Sequence, residues 1–190
     1  VTASLFDGGR LRLTRVQRVS DIGASLWCRW LNDRRVTKYL GTGGHWTPTR
    51  LSLWFQARVG GQRGTRFYAI LLGSTPVGTL KLEHGGPGRC ANVGLMIGEP
   101  KAWDSGVATL ALLAACRAAK QAGCRSVWAG IILENRASRR AFEEAGFTEV
   151  AVQAGADVLF LTENTLPSEI SHRVYGWAPR PPKIAVMRRL

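Results

Sequence analysis

The residues best suited to chemistry lie between Gly94 and Phe147, in the run GLMIGEPKAWDSGVATLALLAACRAAKQAGCRSVWAGIILENRASRRAFEEAGF. The run reads as a strand, a glycine-containing turn and the start of an apolar helix. Gly106 and Ala108 keep the turn small, so backbone N–H groups can approach a ligand. The first N–H groups of a helix lack internal partners and carry the positive end of its dipole. Strand, turn and helix start together make an anion site suited to a diphosphate. Acidic or imidazole groups fall near predicted strand ends at Glu83, His84 and Glu134. Such groups take or give a proton near neutral pH. Cys28, Cys90, Cys116 and Cys124 form no CxxC pair and have no His at ligand spacing, so neither a metal site nor an activated thiol is expected.

The elements that position these residues follow from periodicity. Residues 10–16 alternate as a half-buried strand. Ser20-Asp21 starts a helix carrying Ile22, Leu26, Trp27, Trp30 and Leu31, and a turn and short helix follow over 32–40. Gly41 to Gly44 is a loop without the Gly-Lys-Ser/Thr of a phosphate cradle. Thr47-Pro48 opens a helix whose apolar face is Leu51, Trp54, Phe55 and Val59. Strands follow at 67–72, 77–83 and 91–98, then a helix at 107–122, a strand at 126–133, a helix at 135–144 and a strand from 148. The Trp residues and Met96 read as core. From 154 the pattern weakens. Residues 157–161 and 183–187 both look like strands able to close the sheet, and Pro167, Pro179, Pro181 and Pro182 between them argue for an irregular excursion. The expectation is one α/β domain over 1–190, α+β in its layering, with a mixed central sheet of about six to seven strands flanked by helices.

Composition bounds the function. The 190 residues are 45% hydrophobic and 21% charged, the balance of a globular protein and not of a disordered chain. No apolar run approaches the roughly 20 residues of a membrane helix, and with no charged segment ahead of an apolar core no secretion signal is expected. Reduced thiols in the cytoplasm are the corresponding expectation. Lys and Arg number 26 against 13 Asp and Glu, a net charge of +13. Residues 1–100 hold 14 basic and 5 acidic groups, and 101–190 hold 12 and 8. That field favours anionic partners, although Arg-rich composition alone accounts for it equally well.

The same run resembles the GNAT superfamily of acetyl-CoA-dependent N-acetyltransferases. That family's pyrophosphate loop follows Arg/Gln-x-x-Gly-x-Gly/Ala, and Trp103-Asp104-Ser105-Gly106-Val107-Ala108 aligns with it. Asn135-Arg-Ala-Ser138, Phe142 and Ala145-Gly146-Phe147 resemble the family's Asn-x-x-Ser helix and its closing Gly-Phe. The resemblance covers roughly residues 10–152, and Trp103 resembles the branch of ribosomal-protein N-terminal and sugar-nucleotide N-acetyltransferases. Two positions depart from it. Asp104 and Ser105 stand where Gly and a basic residue are common, which leaves Lys101 to supply the charge. Phe142 stands where many members have a Tyr general acid, and Ser138 is the nearest substitute.

The resemblance implies that strands 91–98 and 126–133 splay to admit pantetheine. Met96 and Ile97 then offer backbone contacts, Trp103, Ser105, Gly106, Val107 and Ala108 hold the pyrophosphate, and Asn135 bonds the pantetheine. Ser138 faces the sulfur, Glu83 or His84 acts as base through water, and Tyr39 and Leu40 border the acceptor. No metal is implied. The implied reaction moves acetyl from acetyl-CoA to a primary amine by direct attack, the acceptor being an amino-sugar nucleotide or another small anionic amine. A protein N-terminus is the alternative acceptor. A further alternative is a degenerate domain that binds RNA or protein, although no RNA-recognition motif is visible. The segment 154–190 is left to cover the site or to serve a homodimer.

Overall fold

Alternation in the strand Leu11–Val16 sets the layering of the molecule. Leu11 and Leu13 are buried on one side and Val16 on the other, so both faces of the sheet are covered. The computed structural model describes residues 4–7, 11–59, 64–86, 90–154 and 171–177. The strands are β1 (Ser4–Asp7), β2 (Leu11–Val16), β3 (Arg66–Leu72), β4 (Thr75–Gly86), β5 (Cys90–Ile97), β6 (Ser126–Ile132), β7 (Thr148–Ala154) and β8 (Ser171–Trp177). The helices are α1 (Ala24–Asn32), α2 (Arg34–Thr37), α3 (Pro48–Val59), α4 (Val107–Gln121) and α5 (Arg136–Glu144). Eight strands form one sheet in the order β1-β2-β3-β4-β5-β6-β8-β7. Only β5 and β6 run parallel among these neighbours.

One face packs on α4, whose Ala111, Leu112, Ala114, Ala115 and Ala119 meet Leu80, Leu82 and Val93 in a continuous core that also takes in Phe142 of α5. The other face carries α1, α2 and α3 over Phe67, Ala69 and Met96. There Trp27, Trp54, Phe55 and Phe67 pack mostly edge to face, with ring centroids 5.2–6.4 Å apart. Helix starts are fixed locally. Thr47 accepts the Arg50 N–H at 3.3 Å with Pro48 at the first turn, Asp33 accepts the Arg35 N–H at 2.9 Å, and Asn135 accepts the Ser138 N–H at 3.2 Å.

The structure corrects the sequence reading in three places. Ser20-Asp21 belongs to a short 3-10 turn, Val19–Asp21, where the Asp21 carboxylate accepts the N–H groups of Gln17 and Arg18; α1 begins only at Ala24. The sheet has eight strands, one more than the upper expectation, because β1 adds an edge. The strand that enters the sheet between β6 and β7 is 171–177, inside the stretch read as irregular. It contains no proline, and a proline breaks a strand only where it stands. The two strands expected at 157–161 and 183–187 lie outside the described residues. Among the described residues no helix is long and apolar enough to cross a membrane.

Candidate active site

The site begins where two parallel strands part. β5 and β6 pair only at Cys90–Ser126, Ala91–Val127 and Asn92–Trp128. Beyond that point β6 stays with β8 as far as Ile132 and β5 stays with β4 as far as Ile97, so an opening forms between them. The Gly98 N–H bonds the Val77 carbonyl at 2.8 Å. Counting back in twos along the antiparallel ladder, Met96 pairs with Thr79, while the main chains of Leu95 and Ile97 face the opening. A Cβ on Gly78 would run into the Met96 carbonyl oxygen, which places that oxygen on the β4 side. The two backbone expectations therefore divide: Ile97 lies on the free edge, whereas Met96 brings its side chain. The Trp103 indole N–H donates to the Ile97 carbonyl at 2.9 Å, tying the following loop to that edge. The end of β5 is locked on α1. Gly98 lies flat on the Trp30 ring, and Glu99 accepts from Trp30 at 2.9 Å and pairs with Arg29.

A cavity of about 450 Å³ opens from this edge onto the first turn of α4. Gly106 stands at φ 77° and offers no side-chain cap, so the N–H groups that begin α4 remain open. Nothing would meet a Cβ there, so Gly106 is needed for its conformation and not for space. Asp104, at φ 55°, is the one non-glycine residue in the left-handed region among the described residues. The Ser105 hydroxyl donates to the Ala102 carbonyl at 2.7 Å, closing the turn from within.

The cations of this cavity are not the expected one. Lys101 is exposed and off the wall, whereas Arg35 and Arg140 line it. Each has an acid of its own. Arg35 pairs with Asp33 at 2.7 Å, and Arg140 with Glu144 at 2.9 Å. Glu144 also accepts the Thr109 hydroxyl at 3.0 Å. The hydrogen bond from Arg140, then that from Thr109, holds the Glu144 carboxyl below its ordinary range.

A second cavity, of about 230 Å³, continues through the opening to the other face of the sheet. The two share Tyr39, Leu40, Leu95, Met96, Asn135 and Ser138. Beyond these, the second is lined by Trp27, Trp46, Trp54 and Phe67 with Arg58 and Lys81, and carries no Asp or Glu. The Arg58 guanidinium lies 5.2 Å from the Trp54 ring centre. Lys81 pairs with Glu83 at 3.0 Å. Trp46 is 6% exposed, and its indole N–H has no partner. Its main chain is clamped by the Asn32 side chain, which donates to the Trp46 carbonyl and accepts the Trp46 N–H, both at 2.8 Å.

Tyr39, Leu40, Met96, Asn135 and Ser138 thus meet at one junction, with Ile97, Trp103, Gly106, Val107 and Ala108 around the first cavity. Glu83 and Ser105 line neither cavity. His84 sits on β4, and its side chain lies outside the described residues. Phe142 lines the second cavity at 3% exposure, its ring 4.8 Å from that of Phe147. The sequence reading missed Arg35, Thr109, Arg140 and Glu144. The last two carried a signal, an i,i+4 cation–acid pair on the helix after Asn135. It also missed Trp46, Trp54, Arg58 and Lys81, for which the sequence holds none, since an aromatic facing a cavity and one facing a core share the same spacing.

Residues 10–148 match the model of the acetyltransferase (GNAT) domain. The chain belongs to the GNAT acetyltransferases. RimL, a ribosomal alpha-N-protein acetyltransferase, superposes with a TM-score of 0.75 at 14% identity, over 94% of this chain and 96% of that one. A probable GNAT acetyltransferase from Chromobacterium violaceum gives 0.74 at 16% identity, over 94% and 87%. The spermidine N-acetyltransferase of Vibrio cholerae, solved with CoA and spermine, gives 0.72 at 14% identity, over 90% and 96%. At these identities the likeness carries the fold. No curated protein matches the sequence.

Proposed function

We propose that this GNAT domain moves an acetyl group from acetyl-CoA to the primary amine of a small anionic acceptor by direct attack. The observation that carries the reading is the junction. The unpaired edge of β5 and the bare start of α4 open on one side of it, and a cation-bearing cavity without carboxylates opens on the other. The residues present suit acetyl-CoA. The Leu95 main chain and the Ile97 N–H leave donors and an acceptor for an amide-bearing chain, and the first turn of α4 suits a diphosphate. The Asn135 oxygen is taken by the Ser138 N–H, which leaves its amide N–H₂ to donate. When bound, acetyl-CoA supplies the reactive thioester.

This chain's residues then have four tasks. The Ile97 N–H stands on the edge where a carbonyl oxygen can be received. Ser138 gives a proton to the departing sulfur, since Phe142 has none to give. Tyr39 and Leu40 border the amine. Glu83 or His84 takes the proton of the amine through water; Glu83 is ion-paired with Lys81, which lines the acceptor cavity. A protein N-terminus, the acceptor that the name of RimL suggests, needs a groove for several residues, and about 230 Å³ favours a single small body.

The test is thiol release from acetyl-CoA with a panel of amines, alongside calorimetric titration of acetyl-CoA. The expected result is micromolar binding, with anionic amines acetylated faster than spermidine. Spermidine as the best acceptor, or no acetyl-CoA binding at millimolar concentration, overturns the reading.

A further inference from the structure

The acceptor cavity is unusual in the balance of what it offers. Its charged lining is cationic only, and the sole cation there without an acid among the described residues is Arg58, since Glu83 occupies Lys81. Its one buried orphan is a donor, the Trp46 N–H. A buried donor left without a partner is costly, so a wall that keeps one calls for an oxygen brought by a ligand. Side-chain acceptors on the wall are Tyr39, Thr42, Thr79, Asn135 and Ser138; the Asn135 oxygen is already used, and none is a carboxylate. A polyamine, whose charged N–H groups all donate, would meet cations and no carboxylate there. Trp27, Trp54 and Phe67 supply flat apolar surface. The volume of about 230 Å³ is below that of pockets for drug-sized ligands and suits one ring with a short stem.

We infer that the acceptor is a compact ring-bearing amino carboxylate, and that Trp46 and Arg58 select it. This rests on the N-acetyltransferase reading above. Arg58 and Trp46 belong to the second cavity alone, whereas Ser138 and Met96 belong to the junction. The amine thus points to the junction and the anionic oxygens away from it. A guanidinium and an indole N–H give charge-assisted and neutral hydrogen bonds to those oxygens. In the reaction the amine nitrogen bonds the acetyl carbon, the carbon–sulfur bond breaks, one amine proton is lost and the sulfur leaves as the thiol.

The probes are phenylalanine and phenethylamine, which differ by the carboxylate. Glucosamine 6-phosphate serves as an anionic sugar. With wild-type protein, kcat/KM for phenylalanine is expected to exceed that for phenethylamine by at least tenfold, and to exceed that for the sugar phosphate. Arg58→Gln should bring the phenylalanine-to-phenethylamine ratio to within about threefold. Trp46→Phe keeps a ring in place and removes the orphan donor. It should raise KM for phenylalanine several-fold while Tm stays level or rises, a combination that a purely structural role does not give. Faster transfer to phenethylamine or to the sugar phosphate than to phenylalanine overturns the inference and leaves the acetyltransferase reading standing. So does an unchanged ratio in Arg58→Gln with normal acetyl-CoA binding. Loss of acetyl-CoA binding in the wild type overturns both.

Discussion

Around Gly106 the molecule offers a ligand its main chain; around Trp46 it offers side chains. In the first cavity the open groups are the N–H groups that begin α4 and the free edge at Leu95 and Ile97, and both lining cations are already paired with acids. In the second, the groups left unpaired are the buried Trp46 indole N–H and, as the one cation without an acid among the described residues, the Arg58 guanidinium. A main-chain site depends on backbone geometry and tolerates many side chains. A side-chain site changes with each substitution. One fold can therefore keep a fixed cosubstrate and vary its acceptor, and the difference separates what substitutions at the two ends should do.

The largest effect is expected at Gly106. A Trp there forces a side chain into the left-handed region and into the cavity, at a conformational cost of roughly 1–2 kcal/mol before any clash. Gly106→Trp should weaken acetyl-CoA binding by more than about a hundredfold in calorimetry, whereas Gly106→Ala adds little bulk and should lose far less. Equal losses would mean that strain, and not occupancy of the cavity, sets the effect. Next is the junction. Ser138→Ala should lower kcat by about a hundredfold, the lower end of general acid catalysis, with acetyl-CoA affinity kept. Phe142→Tyr should not restore the rate, because the ring is buried against Phe147 and the added hydroxyl has to be accommodated in the packed core.

Smaller effects carry the sharper signs. Glu144→Gln removes the carboxylate that holds Arg140 and Thr109 and should tighten acetyl-CoA binding by a few-fold, the reverse of every other substitution at that cavity. An unchanged or weaker affinity would show that Glu144 orders Arg140 for the ligand. Further along α4, in the core, burial pushes the Cys116 thiol up to about 12. In the unfolded chain a thiol ionises near its ordinary value of about 8.5. Stability from this difference is therefore complete below about pH 8.5 and declines as pH rises toward 12, by at most ~1.4 kcal/mol per pH unit. Urea unfolding at pH 8 and pH 10 should show the decline, and Cys116→Ala should flatten most of it, Cys28 acting weakly in the same direction.

Legibility in the sequence follows the same division. Strand and helix periods from 66 to 148 could be read because each element shows one face to a core, and Gly106 and Asn135 could be read because main-chain sites need particular residues at fixed spacing. The acceptor cavity could not be read. Trp54 sits with Leu51 and Phe55 in the apolar stripe of α3, and nothing in that stripe tells a ring that lines a cavity from one that fills a core. Trp46 lies in a loop and reaches the cavity only because Asn32, fourteen residues earlier, clamps its main chain. The closing strand 171–177 was hidden by its prolines, which flank it without interrupting it.

Amide hydrogen exchange with and without CoA tests the main-chain origin of the cosubstrate site most directly. Protection should rise at Leu95 or Ile97 and at Val107, Ala108 and Thr109, while the Trp46 indole N–H exchanges as before. Protection confined to the Trp46 and Arg58 side of the sheet, with the start of α4 unchanged, would contradict the account.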